Sequence, residues 1–201
     1  ISISGTTPQS TKPAILGNKS SISSTTEGRG DAGKITLDTQ GRGKLLLSGA
    51  NLNNSIEKDA VGNSKGIEIS AQSVDLKQGS FILSENDGQG DAGNISIKTI
   101  GDISISGTNT PSTGSILQED PKLLVISSIS SNTNGKGNAG KITIDTQNQG
   151  KFSLSNRADI VSTIGKNGIG NGNDINISAR EVDVRNEGSI RSNNSGGKGD
   201  A

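Results

Sequence analysis

The chain has 201 residues, 20 basic and 20 acidic side chains for a formal charge of +0, and a hydrophobic content of only 27%. It contains no Cys, His, Trp or Tyr and two Phe. Those absences exclude a disulfide framework, thiolate and imidazole metal sites and histidine acid–base chemistry. They also leave neither the basic excess nor the aromatic platforms on which nucleic-acid binding rests.

The apolar residues are dominated by Ile, set among 29 Gly and abundant Asn and Ser. β-branched side chains favour strands, and Gly, Asn and Ser favour the turns between them. No apolar run approaches the length of a membrane helix, so no membrane insertion is expected. The opening Ile1-Ser2-Ile3-Ser4 has no signal-peptide character and reads as the middle of a repeat.

The recurring punctuation is G-x-G-[D/N]-x-G. It occurs as Gly28-Arg29-Gly30-Asp31-Ala32-Gly33, as Gly88-Gln89-Gly90-Asp91-Ala92-Gly93 and as Gly135-Lys136-Gly137-Asn138-Ala139-Gly140. Degenerate copies lie at Gly62-Asn63-Ser64-Lys65-Gly66 and Gly170-Asn171-Gly172-Asn173, and Gly197-Lys198-Gly199-Asp200-Ala201 begins another. Cutting there gives segments 1–30, 31–62, 63–90, 91–137, 138–170 and 171–199.

In chain order each segment repeats three apolar beats. The first is Ile35/Leu37, Ile67/Ile69, Ile95/Ile97, Ile142/Ile144 and Ile175/Ile177. The second is Leu45/Leu47, Val74/Leu76, Ile103/Ile105, Phe152/Leu154 and Val182/Val184. The third, shorter, is Ile22, Leu52, Phe81, Ile129, Ile160 and Ile190. Alternation with period two marks strands with one buried face. Three strands in a turn of about 30 residues predict an all-β parallel β-helix, a solenoid with three strands per coil and about six coils.

Asp31–Leu47 and Asn138–Leu154 are nearly the same text, DAGKITLDTQGRGKLLL against NAGKITIDTQNQGKFSL. The super-period is three coils, so 1–90 and 91–199 form an internal duplication. Residues 1–201 are read as one segment excerpted from a longer array, with uncapped ends that invite end-to-end self-association. One insertion breaks the rhythm at Thr108–Leu124, with Pro111 and Pro121. Its shorter counterpart is Thr6–Lys19, with Pro8 and Pro13. Proline among Ser and Thr predicts loops leaving the wall.

The ordered motif G-x-G-[D/N]-A-G-[K/N]-I-[T/S]-[I/L], followed by a second and a third strand, resembles the repeats of cyanobacterial filamentous-haemagglutinin-like exoproteins of the two-partner secretion type. The resemblance spans Ile1 to Ala201. It implies a right-handed β-helical stalk, export through a dedicated outer-membrane transporter, and an extracellular place at the bacterial outer cell surface. The function it implies is a structural or adhesive stalk segment, with surface glycans or other cells as partners.

Candidate chemistry is sparse. The polar residues of the insertion, Thr108, Asn109, Thr110, Ser112, Thr113, Gln118, Glu119 and Asp120, form the candidate ligand-contact loop. A carbohydrate-binding module using this loop or the Ser/Thr/Asn-rich outer walls is the alternative reading, and a polysaccharide lyase or hydrolase a further one. A glycosidase needs two carboxylates placed once across a cleft. Here Asp38/Asp145 and Asp75/Asp183 are related by the repeat and sugar-stacking aromatics are scarce, so no enzyme and no cofactor are expected.

Arg29-Gly30-Asp31 spells RGD but occupies the repeat's variable slot, where other coils carry Gln89-Gly90-Asp91 or Lys136-Gly137-Asn138. The Asp/Asn of that slot faintly resembles calcium β-rolls. Its simpler role is a tight turn, with Gly at positive φ and Asp/Asn bonding its own backbone. The outward row Thr36, Glu68, Ser96, Thr143 and Asn176 is too mixed for an ice-binding ladder.

Overall fold

The computed structural model describes residues 2–4, 20–107 and 126–201. Strands β1 (Ser2–Ser4) and β2 (Ser21–Thr26) lead into five complete coils of three strands each. The first coil is β3 (Ile35–Asp38), β4 (Lys44–Ser48) and β5 (Asn51–Ile56). The second is β6 (Ile67–Ala71), β7 (Ser73–Lys77) and β8 (Phe81–Asn86). Then come β9 (Ile95–Thr99), β10 (Ile103–Ser106) and β11 (Ser128–Thr133), and β12 (Ile142–Asp145), β13 (Lys151–Ser155) and β14 (Asp159–Ile164). The last is β15 (Ile175–Ser178), β16 (Glu181–Val184) and β17 (Ser189–Asn194). Among the described residues there is no helix.

Each strand pairs in parallel with its counterparts one coil away. The result is three walls: β3-β6-β9-β12-β15, β1-β4-β7-β10-β13-β16 and β2-β5-β8-β11-β14-β17. This is a β-solenoid with three strands per coil. The predicted count of about six becomes five complete coils plus the two leading strands, because the described chain enters on the second wall.

The alternation decides the register. In the first wall Ile35, Ile67, Ile95, Ile142 and Ile175 stand in one row. In the second, Leu45, Val74, Ile103, Phe152 and Val182 do so. A shift by one residue would turn every such row to solvent. Ile67, Ile95, Ile142, Ile103 and Phe152 are almost wholly buried. Each such side chain contributes about 1.5–3 kcal/mol on burial.

One beat is displaced. Phe81 does not point inward: Ile82, fully buried, pairs with Leu52 and Ile129, while Phe81 pairs with Asn51 and Ser128 on the outside. Phe81-Ile82-Leu83 is an apolar run, in which period two is ambiguous, and the inward phase is set by Ile82 in register with Leu52 and Ile129.

The interior is not purely apolar. Asn54, Ser84, Ser131 and Ser162 form a fully buried row in the third wall. Ser84 Oγ accepts the Gly93 N–H at 2.8 Å, Ser131 Oγ that of Gly140 at 2.7 Å and Ser162 Oγ that of Asn173 at 3.2 Å. These donors belong to the glycine turn, which crosses the tube wall where no strand partner reaches them, and a buried unpaired N–H costs free energy.

Candidate interaction surfaces

The glycine turn is the strongest local signal, and its geometry is that of a scaffold. Gly30, Gly90, Gly137, Gly170 and Gly199 have φ of 138, 136, 138, 159 and 131°. A Cβ at Gly137 would stand 1.9 Å from the Gly90 carbonyl oxygen, and one at Gly170 would stand 1.9 Å from that of Gly137. Both backbone conformation and axial spacing therefore demand glycine.

The Asp/Asn beside it does not bond its own backbone as expected. Its side-chain oxygen reaches the next coil: Asp31 Oδ1 accepts the Asn63 N–H at 2.9 Å, Asn63 Oδ1 that of Asp91 at 2.9 Å and Asp91 Oδ1 that of Asn138 at 2.7 Å. Asn138 and Asn171 continue the ladder to Asn171 and Asp200. An amide and a carboxylate accept equally well here, which explains why the slot tolerates both. The RGD aspartate is engaged in this ladder and also lies 3.6 Å from Lys65 Nζ. Among the described residues no group of three or more carboxylates is placed to hold a metal ion.

The repeat-related carboxylates have matched local duties. Asp38 caps its turn by accepting the Gln40 N–H at 2.7 Å, and Asp145 accepts that of Gln147 at 2.7 Å. Asp75 pairs with Lys44 at 3.4 Å and Lys77 at 3.7 Å, and Asp183 with Lys151 at 3.1 Å and Arg185 at 3.5 Å. Lys151 also binds Glu181 at 2.7 Å, and these two hydrogen bonds, Glu181 first, raise its pKa. The mixed outward row Thr36, Glu68, Ser96, Thr143 and Asn176 lies in register as expected.

The third wall is the most distinctive outer surface. Phe81, Leu83 and Val161 sit half-buried on it, among Asn51, Asn53, Ser130 and Asp159. Asn51 Oδ1, Asn53 Oδ1 and Asp159 Oδ1 are shielded and accept no hydrogen bond. At the wall's edge Glu85 lies beside Glu57 and Asp87. Burial raises the Glu85 pKa most, the two neighbouring carboxylates add to it, and Asn134 opposes it. The Asn134 amide donates to Glu85 Oε1 at 3.1 Å and to Asp87 Oδ1 at 2.9 Å.

The predicted contact loop, Thr108, Asn109, Thr110, Ser112, Thr113, Gln118, Glu119 and Asp120, lies outside the described residues. Its described flanks are Gly107 after β10 and Ile126 before β11. The interior Ser row and the outer apolar wall are what sequence reasoning missed. A signal for the row existed: Ser or Asn recurs two residues after every inward third beat, as in Ile82–Ser84, Ile129–Ser131 and Ile160–Ser162.

These features define a parallel β-solenoid whose surfaces are built from repeated rungs. Comparison with family models, curated proteins and solved structures finds no match.

Proposed function

We propose that this chain is a rigid, non-catalytic spacer in a secreted surface fibre of the filamentous-haemagglutinin-like kind, exported through an outer-membrane transporter and displayed outside the cell. The observation that carries this reading is the axial ladder, which runs without a break in register through five coils. Hydrogen bonds along one axis with a filled interior give a stiff rod about 25 Å long at the usual strand spacing. The repeat-related carboxylates Asp38, Asp145, Asp75 and Asp183 serve in matched pairs as turn caps and ion-pair partners, in keeping with a structural wall. Protease shaving of intact parent cells, with mass spectrometry of the released peptides, tests the reading. Peptides of this region are expected outside the cell. Their appearance only after lysis would overturn it.

A carbohydrate-binding role is the second reading, favoured by the mixed outer face of the third wall, where half-buried Phe81 and Leu83 lie beside Asn51 and Asn53. A glycan array with Asn53→Ala beside the parent chain tests it: hits that vanish in the variant support the reading, and an array without hits removes it.

A further inference from the structure

The chain contains three Asn-Gly dipeptides: Asn134-Gly135, Asn167-Gly168 and Asn171-Gly172. In such a pair the glycine amide nitrogen can attack the asparagine Cγ. A C–N bond forms, the Cγ–Nδ2 bond breaks, ammonia leaves and a five-membered imide remains. Water then opens either imide carbonyl, giving aspartate or isoaspartate. The reaction needs a glycine nitrogen released from its hydrogen bond and a side-chain amide able to turn toward it.

We propose that Asn167-Gly168 is a spontaneous deamidation site, and that the fold withholds the same chemistry from the other two pairs. At Asn134 both reactants are held. The Gly135 N–H donates to Asn86 O of the preceding coil at 3.0 Å, and the Asn134 amide is clamped by Glu85 and Asp87. At Asn171 both are tied to the next turn: Gly172 N–H donates to Asp200 O at 2.6 Å, and Asn171 Oδ1 accepts the Asp200 N–H at 3.1 Å. Asn167 is different. It is exposed, its amide has no hydrogen-bond partner among the described residues, and the Gly168 N–H is held only inside its own turn, by Gly165 O at 2.9 Å. A local turn opens at far lower free energy than an axial ladder.

The placement has a consequence. The turn at the same place on this wall three coils earlier, Glu57–Ala60, closes through Ala60 N–H on Glu57 O at 3.1 Å and carries Asp59, at φ 69°, where the later turn carries Asn167. At Asn167 the loss of the side-chain amide breaks no side-chain hydrogen bond among the described residues. At Asn134 the same change would replace the donor shared by Glu85 and Asp87 with a third carboxylate. The fold exposes the asparagine whose amide is free and guards the one whose amide bridges two carboxylates.

The test incubates the folded 201-residue chain at mildly alkaline pH, follows ammonia release, and locates the mass gain by peptide mapping. Asn167 is expected to convert at least about tenfold faster than Asn134 and Asn171. In denaturant the three rates are expected to converge, since each asparagine precedes glycine. Asn167→Gln should abolish the fast ammonia phase and leave the melting temperature unchanged. Conversion of Asn134 or Asn171 as fast as Asn167 in the folded chain would overturn the proposal. So would an ordering that persists unchanged in denaturant.

Discussion

At Gly137 two constraints coincide. The φ of 138° lies where an L side chain is strained, and the Gly90 carbonyl oxygen occupies the space a Cβ would take. Gly137→Ala is expected to cost at least about 2 kcal/mol, read as a lower urea midpoint at unchanged slope. Gly28→Ala is the control. Its Cβ would meet nothing within 4 Å, so its effect should stay within about 0.5 kcal/mol. Equal losses in the two variants would show that stacking distance is not what selects glycine.

Glu85 gives the pH dependence at the same scale. Its pKa is raised in the fold, chiefly by burial, so the folded state holds its proton more tightly than the unfolded chain. The stabilisation is fully present below the unfolded pKa and is lost as pH rises through the folded one. Glu85→Gln mimics the protonated form. At neutral pH the variant should be more stable than the parent, by a few tenths to about 1 kcal/mol after solvent screening. The gap should close on acidification. Thermal melts across that range check it, and a gap that widens in acid would reverse the assignment.

Within β12 the alternation makes a sharp contrast between neighbours. Ile142 is fully buried between Ile95 and Ile175, while Thr143 faces outward between Ser96 and Asn176. Ile142→Asp places an unpaired carboxylate in the tube and is expected to cost about 4 kcal/mol. Thr143→Asp should change stability by less than about 0.5 kcal/mol. Denaturant unfolding of both variants decides between this register and a one-residue slip, which would exchange the two effects.

The strand-level reading was legible because Ile recurs at alternate positions beside a fixed glycine turn. It failed at Phe81, where three apolar residues in a row hide the phase. The Ser row escaped it because a small hydroxyl looks like surface until the turn N–H groups it serves are placed. The Asp/Asn ladder escaped for a related reason: its partners are 28 to 47 residues away in sequence, and only the coil geometry brings them together. The outer surfaces were the least legible, since what faces solvent is not constrained by packing.

A solenoid is held by nearest-neighbour terms, so its stability should vary along the axis. Central coils are bonded and covered on both sides. The coil β15–β17 is paired on one side only in this chain, and Val182, Val184 and Ile190 are 52%, 43% and 38% exposed. Compare amides that all have backbone partners. Asp87 donates to Ile56 O at 2.8 Å and Ile95 to Lys141 O at 2.9 Å, while Arg185 donates to Leu154 O at 3.0 Å and Ser195 to Ile164 O at 2.8 Å. The bonds are alike, so a difference in hydrogen exchange reports coil opening and not bond quality. Asp87 and Ile95 are expected to exchange at least about a hundredfold more slowly than Arg185 and Ser195 in the same chain. Uniform protection from β6 to β17 would mean that all the coils open together. The coupling between neighbouring coils would then have to exceed the loss from an uncovered face, and the rod would behave as one cooperative unit over its whole length.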